Sequence, residues 1–157
     1  MSDREIERLL YEYQARLDAG DLEGMADMFV DAQMDADTAD AVWRGRDEIL
    51  GLFRQIFRIY PDGSPHTLHT TVNPIVDIDV EAGTATCRSA YVVYQQMDDF
   101  PLQPIITGRY HDRFTRVDGA WRFARRTFVA GLQGDLSAHQ VLENHPVFDE
   151  PAGPDHR

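Results

Sequence analysis

The chain has 157 residues with 15 basic and 27 acidic side chains, a formal net charge of −12 and a hydrophobic content of 43%. A chain of this length is expected to be one domain that buries a core without metal or disulfide support, and Cys87, its one cysteine, can form no disulfide within the chain. The negative charge argues against a nucleic-acid partner, which binds clustered cations, and the absence of lysine excludes Schiff-base chemistry on a lysine amine.

Residues 3–19 predict an amphipathic helix, because apolar side chains recur at the spacing that places them on one helical face. Gly20 is expected to end this helix. Asp21 is expected to cap a short second helix by accepting hydrogen bonds from its first free amides. The apolar face of the first helix consists of Ile6, Leu9, Leu10, Tyr13 and Leu17.

A polar segment at residues 31–40 is expected to lead into a short strand at residues 41–43. A third helix is predicted after Gly45, and residues 61–65, Pro-Asp-Gly-Ser-Pro, end it with several turn-forming residues in a row. The apolar residues of this helix are Ile49, Leu50, Phe53, Ile56 and Phe57.

From residue 67 the pattern changes to strands. Residues 67–80 and 84–97 are rich in β-branched and aromatic side chains, and a loop with two prolines is expected at residues 98–104. A hairpin then reaches about residue 132, with Asp118-Gly119 predicting a type I′ turn at its tip.

Side-chain alternation along the first strand of this hairpin places Tyr110 and Asp112 on one face. Helices followed by antiparallel strands indicate an α+β fold. Because long antiparallel strands curl, we expect the sheet and the N-terminal helices to close a cone around an apolar cavity. That cavity is the candidate site.

The two ends of the chain carry their own expectations. The first residues are mostly polar and no apolar run approaches the roughly 18 residues that span a bilayer, so we expect a cytoplasmic protein with no membrane partner. One domain is expected over residues 1–145, followed by a Pro-rich tail, 146–157, that extends over the surface or packs on a partner subunit. His139 and His145, before the tail, are expected at the surface.

Asp18, at the end of the first helix, and His69, on the first long strand, are the strongest candidates for chemistry. A carboxylate that holds an imidazole in one tautomer turns it into a proton shuttle near neutral pH. The alternative is a structural role for both residues: Asp18 caps the helix or forms a salt bridge, and His69 is a strand residue whose ring is hydrogen-bonded within the fold. Tyr13 lies about 140° from Asp18 around an ideal helix, which favours core packing for the tyrosine.

Two further features of the sequence leave more than one interpretation. His66-x-x-His69 has a spacing found in zinc sites, but no further ligands stand nearby in the sequence, so we expect no metal. Residues 1–50 hold 5 Arg against 14 Asp or Glu, whereas residues 84–132 hold 7 Arg against 4 Asp. The strand arginines therefore pair with the acidic helical half, line an anion-binding cavity, or form a solvated outer face.

Three motifs resemble the SnoaL-like branch of the nuclear transport factor 2 superfamily. They are I-x-x-L-L-x-x-Y-x-x-x-L-D-x-x-D from residue 6 to 21, T-L-H followed by N-P-I from residue 67, and G-x-Y-x-D-x-F-x-R-x-D-G-x-W-R-F from residue 108 to 123. The resemblance covers roughly residues 3–132. It implies a cystatin-like cone, a cofactor-free pocket, and a homodimer or higher homo-oligomer formed through the outer face of the sheet.

Scytalone dehydratase and bile-acid 7α-dehydratase are the members of this superfamily that the chain resembles most usefully. Asp18 falls on the aspartate that both use, His69 falls on the histidine of the former, and Tyr13 falls on a tyrosine of the latter. The chain also departs from both. Tyr94 stands where scytalone dehydratase has a second histidine, and the second aspartate of the bile-acid enzyme is lost among residues 91–93.

The resemblance and the residues together predict a cofactor-independent lyase, of the dehydratase type, or an isomerase that acts on a small apolar cyclic molecule of the polyketide or steroid kind. His69, oriented by Asp18, would remove a proton next to a carbonyl while Tyr13 or Tyr110 donates a hydrogen bond to the developing enolate. The alternative is a ligand-binding or assembly module without catalysis. The residues expected to contact the substrate are Tyr110, Tyr94, Asp112, Trp43 and Phe53.

Overall fold

The computed structural model describes residues 3–140, which form three helices and six strands. The tail predicted at residues 146–157 and His145 lie outside the described residues, and the one-domain prediction for residues 1–145 stays a prediction. In chain order the elements are α1 (Asp3–Asp18), α2 (Leu22–Asp27), β1 (Gln33–Ala36), β2 (Ala39–Arg44), α3 (Gly45–Ile56), β3 (Thr67–Asp79), β4 (Thr84–Met97), β5 (Phe100–Val117) and β6 (Ala120–Gln133).

The six strands form one curved sheet in the order β2-β1-β6-β5-β4-β3, and α1 packs against β3 while α2 packs against α3. The predicted α+β fold is thus confirmed. None of the helices within residues 3–140 is long and apolar enough to cross a membrane.

The sheet is mixed rather than purely antiparallel, because β1 pairs in parallel with β6 while the other pairs of neighbouring strands are antiparallel. Strand β1 lies in the segment that the sequence predicted to be polar and without a strand. Its Asp35 hides the strand pattern, since aspartate is disfavoured in strands. In the structure the Asp35 carboxylate accepts a hydrogen bond from the Thr127 hydroxyl (2.6 Å) and pairs with Arg125, so β6 satisfies its charge.

The loop predicted at residues 98–104 is also largely strand. Strand β5 begins at Phe100, directly after a tight turn from β4, and carries both prolines of that segment. Proline cannot donate a ladder hydrogen bond and is therefore found at strand edges and bulges. The register between β4 and β5 shifts between Gln95 and Met97 and again between Val93 and Tyr94, so the prolines lie where the ladder is irregular.

The hairpin of β5 and β6 has the predicted turn, with φ of 50° at Asp118 and 81° at Gly119. On β5 the alternation is also as predicted: Tyr110 and Asp112 are buried on the concave face, whereas Arg109, His111 and Arg113 are exposed on the outer face. The long hairpin therefore contributes buried side chains to the concave face of the sheet.

Candidate functional site

Asp18 is placed by the way α1 ends. Gly20 adopts a left-handed φ of 74°, and its amide donates to the Leu17 carbonyl (2.9 Å) to close the last turn. A Cβ built on Gly20 would lie 1.8 Å from the Gly63 carbonyl oxygen. The end of α1 can therefore approach the turn before β3 this closely only with glycine at position 20. As a result the Asp18 carboxylate reaches the first residues of β3.

The Asp18 carboxylate is held by the start of β3 through backbone and side chains together. The Thr67 hydroxyl donates to Oδ1 (2.9 Å), and the His69 backbone amide donates to both carboxylate oxygens (3.0 and 2.9 Å). His69 Nδ1 lies 2.5 Å from Oδ1. The His69 side chain is 4% exposed and that of Asp18 is 18% exposed, so the pair is largely shielded from water.

This geometry fixes the His69 tautomer. Because the carboxylate can only accept, Nδ1 carries the hydrogen and the lone pair of the neutral ring lies on Nε2. Within residues 3–140 Nε2 has no hydrogen-bond partner. Chemically, a carboxylate-oriented imidazole of this kind can accept a proton at Nε2 and return it.

His69 lines a small apolar cavity between the sheet and the helices. Most of the wall consists of Phe53, Ile56, Phe57, Tyr91, Val93 and Phe128, and Tyr13, Tyr110, His69 and His139 add polar atoms. The centre of a water-sized sphere can occupy only about 20 Å³ of this cavity, which is room for about one water molecule. The surrounding side chains therefore nearly fill the cavity.

Residues 134–140, which we call the closing segment, contribute His139 to the wall of the cavity. The Arg58 amide donates to the His139 carbonyl (2.9 Å), and Tyr60 and Gln95 both donate side-chain hydrogen bonds to the Ala138 carbonyl (2.5 and 3.0 Å). The segment is thus tied to the end of α3 and to β4. These hydrogen bonds fix the position of His139.

His139 is 1% exposed, so the expectation that it lies at the surface is wrong. Its ring centre lies 4.8 Å from that of Phe57 and 6.1 Å from that of His69. Burial, together with the neighbouring His69, lowers the pKa of His139 to about 3, so its ring is neutral near pH 7. The signal that was missed is Leu136, which is buried and lies three residues earlier in the same segment.

Asp112 lies below the cavity rather than in its wall. Its carboxylate accepts two hydrogen bonds from Arg126, from Nε and Nη2, both at 2.8 Å, and both side chains are fully buried. The guanidinium carbon of Arg126 lies 3.7 Å from the ring centre of Tyr110 and 4.3 Å from that of Tyr13. Burial raises the pKa of Asp112, although Arg126 opposes the shift.

The sequence did not reveal Arg126 because strict alternation from Phe123 along β6 would point it outward. A register shift between Arg113 and Phe114 on the neighbouring strand breaks that alternation, so Arg126 and Phe128 both face inward. The buried ion pair is thus a consequence of one β-bulge.

The remaining predicted site residues divide into two groups. Tyr13, Tyr110 and Phe53 line the cavity, and burial raises the pKa of Tyr13 to about 12. Tyr94 and Trp43 do not line it. Tyr94 pairs with the exposed Leu68 on the outer face of the sheet, and Trp43 packs against the core from β2, where its neighbour is Met34.

Five of the seven arginines in residues 84–132 follow two of the three interpretations left open by the sequence. Arg125 and Arg122 pair with Asp35 and Asp31 from the acidic N-terminal third. The others on the outer face, Arg88, Arg109 and Arg113, are exposed. No group of three or more His, Cys, Asp or Glu side chains within residues 3–140 is arranged to hold a metal ion.

A curved sheet with helices packed on it places the chain among proteins with a cystatin-like fold, as in an NTF2-like protein from Novosphingobium aromaticivorans. The sequence model of the SnoaL-like domain matches residues 2–127, so the chain belongs to the SnoaL-like domain family. A search of curated proteins finds no match.

Solved structures of similar fold include proteins of different description. A candidate scytalone dehydratase from Novosphingobium aromaticivorans is 26% identical, with 84% of this chain and 85% of that chain covered and a TM-score of 0.65. Rv3472 from Mycobacterium tuberculosis, of unknown function, is 27% identical over 81% and 70% of the two chains, with a TM-score of 0.65.

A third similar structure is the β subunit of a candidate aromatic-ring-hydroxylating dioxygenase from N. aromaticivorans. It is 20% identical, covers 87% of this chain and 94% of its own, and has a TM-score of 0.65. At this identity the likeness concerns the fold alone. Similar structures thus include one described as a dehydratase and one described as a dioxygenase subunit, and the fold does not decide between these functions.

Proposed function

We propose that the protein is a cofactor-independent lyase, of the dehydratase type, or an isomerase that acts on a small apolar cyclic ketone. The observation that supports this proposal is the contact between Asp18 and His69 at the cavity wall, with Nδ1 2.5 Å from the carboxylate and the lone pair of Nε2 left for a substrate. An apolar cavity with a few convergent polar groups is the usual form of a small-molecule site.

In the proposed reaction, His69 Nε2 removes a proton from the carbon next to the substrate carbonyl, and the electrons of that C–H bond form the C=C bond of an enolate. Tyr13 or Tyr110 donates a hydrogen bond to the enolate oxygen. In a dehydratase the enolate then expels a β-hydroxyl group, which takes the proton from Nε2 and leaves as water. In an isomerase Nε2 returns the proton to a different carbon.

Asp18 would hold the imidazole ring in place and stabilise the imidazolium that forms when Nε2 takes the proton. Its contacts with Thr67 and with the His69 amide keep the carboxylate in position throughout the cycle. No part of this reaction calls for a cofactor. Because the cavity holds about one water, a cyclic substrate can enter only when the closing segment moves away.

That small volume also favours a second candidate function, an assembly or ligand-binding module without catalysis. In such a protein the aromatic side chains fill the cone permanently and the Asp18–His69 pair ties α1 to β3 as a structural element. The two functions predict different consequences of moving the closing segment: access for a ligand in the first case and exposure of the core in the second.

The test begins with mass spectrometry of small molecules carried through purification, which identifies a substrate class without a guess. On a substrate found in this way, Asp18→Asn and His69→Ala should each lower kcat by at least about tenfold, the low end of an acid–base contribution. His111→Gln, on the exposed outer face, is the matched histidine control and should keep full activity. Unchanged rates in both site variants would remove the pair from catalysis and favour the module.

We also propose a homodimer formed through the outer face of the sheet, in keeping with the family resemblance. Leu68 and Ile75 on this face are 57% and 54% exposed, so both offer apolar surface that a partner subunit would bury. Replacing both with Thr should shift the protein to a monomer in analytical ultracentrifugation. A monomeric wild type at micromolar concentration would contradict the dimer. The cytoplasmic location stays a prediction.

A further inference from the structure

His139 occupies a position that the family resemblance did not assign to any residue. It comes from the closing segment and lines the cavity, and its ring contacts both Phe57 and His69. The carbonyls of His139 and Ala138 are tied to Arg58, Tyr60 and Gln95, so the backbone on both sides of this ring is fixed while the segment is closed.

The neighbourhood of this ring differs from that of the two tyrosines. Tyr13 and Tyr110 contact Arg126, Phe29 and Tyr91 deeper in the cone, whereas the ring contacts of His139 include the candidate base itself. With 6.1 Å between the two imidazole centres, one small group of substrate atoms can touch both rings. A carbon acid next to a carbonyl is such a group.

We propose that His139 is a further catalytic residue, whose ring N–H donates a hydrogen bond to the substrate carbonyl oxygen while His69 removes the proton from the neighbouring carbon. This inference rests on the proposed function. Two donors to one developing oxyanion, one of them a tyrosine and the other His139, would form an oxyanion hole. The chain would thus supply its second histidine from the closing segment, at a site where the family pattern on the strand is missing.

His139 acts as a donor in this proposal and not as a proton source. A neutral imidazole can polarise a carbonyl through its N–H without giving up the proton, and burial with a lowered pKa keeps the ring neutral near pH 7. The proton balance is therefore unchanged: the only proton that moves is the one that His69 takes and returns. The arrangement also links closure to chemistry, because the donor is in place only when the closing segment covers the substrate.

The test uses a matched pair of ligands, 2-naphthol and naphthalene, which have the same ring system and differ by one oxygen. The wild-type protein should bind 2-naphthol about tenfold more tightly than naphthalene, the factor for one good buried hydrogen bond. His139→Leu should abolish most of this preference and leave naphthalene binding unchanged. His139→Gln, which keeps an N–H donor, should restore part of it, and His111→Gln should behave as wild type. Binding is followed by ligand fluorescence, and folding of each variant by urea unfolding.

Three results would overturn the inference. In the first, the preference for 2-naphthol persists in His139→Leu. In the second, His139→Leu lowers the affinity for both ligands equally, which would mean that the ring serves only in packing. In the third, neither ligand binds the wild-type protein. The proposed function fails by a different result. If turnover survives His69→Ala while the naphthol preference still depends on His139, the acid–base mechanism is wrong and His139 remains a ligand-binding residue.

Discussion

Two aspartate pairs lie within the same cone, and they differ in partner and in access to water. Asp18 pairs with a histidine at the cavity wall and keeps 18% of its side chain exposed. Asp112 pairs with Arg126 and both side chains are fully buried. Arginine stays protonated at any pH that a protein survives, whereas histidine exchanges its proton near neutrality. Only the first pair can therefore take part in proton transfer.

The comparison also separates position from role. Asp112 was expected to contact the substrate because it shares a face with Tyr110, and it does share that face. A carboxylate inside a sealed apolar region needs a cation, however, and the guanidinium of Arg126 supplies it with two hydrogen bonds. Asp112 and Arg126, which we call the inner pair, pack against the aromatic rings next to the cavity. Asp18 and His69, which we call the outer pair, face the space where a ligand would bind.

The largest effect is expected from breaking the inner pair on one side. Arg126→Met leaves the Asp112 carboxyl buried without its cation and should lower the free energy of unfolding by about 3–5 kcal/mol. The double variant Arg126→Met with Asp112→Leu removes both charges and should recover most of that loss. Urea unfolding of the wild type, both single variants and the double variant measures the coupling.

A double variant no more stable than Arg126→Met alone would contradict this account, because it would mean that the stacking of Arg126 on Tyr110 and Tyr13, rather than the ion pair, carries the stability. In that case Arg126 would stabilise the fold mainly by packing on the two aromatic rings. The comparison with Asp18 would then rest on exposure alone.

A smaller effect is expected at the outer pair. Asp18→Ala leaves the Thr67 hydroxyl and the His69 amide without their acceptor at a partly exposed site, so the free energy of unfolding should fall by about 1–3 kcal/mol. Thr67→Val removes one of these hydrogen bonds and should cost about 1 kcal/mol. Asp18→Ala should also lower kcat by at least about tenfold. Arg126→Met should lower kcat indirectly, through instability and through displacement of Tyr13 and Tyr110, whose rings Arg126 contacts. A loss at Asp18 as large as that at Arg126 would erase the energetic difference between the pairs.

The sequence predicted what depends on local pattern. The amphipathic face of α1, the Asp21 cap, whose side chain accepts from the Gly24 amide (2.9 Å), and the turn at Asp118 and Gly119 each follow from residues close in the chain. The approach of Asp18 to His69 was a hypothesis drawn from the chemistry of a carboxylate and an imidazole, and the family resemblance added to it. It depends on Gly20, whose role only the contact with Gly63 makes visible.

What the sequence did not predict depends on residues that are distant in the chain. Strand β1 was not predicted because the partners that stabilise the charge of Asp35 lie on β6, some 90 positions later in the chain. The inward position of Arg126 was not predicted because a β-bulge reverses the side-chain alternation along β6. Tyr94 was predicted to contact the substrate, but it pairs with the exposed Leu68 on the outer face of the sheet. The burial of His139 was not predicted because Leu136, the one large apolar residue close before it, was not read as a sign that this segment packs against the core.

The last prediction concerns His139, a buried ionisable group outside the two aspartate pairs, and its effect depends on pH. Its pKa is lowered to about 3 in the folded protein against 6.5 when unfolded, chiefly by burial. Between these values the unfolded chain binds one proton more, so stability falls as pH falls below about 6.5, by up to about 1.4 kcal/mol per pH unit. His139→Phe cannot take up this proton, so its unfolding free energy should decline less steeply between pH 6.5 and 5. Urea unfolding at pH 7, 6 and 5 checks this, and parallel declines in the two proteins would mean that His139 is protonated, or open to water, in the folded state.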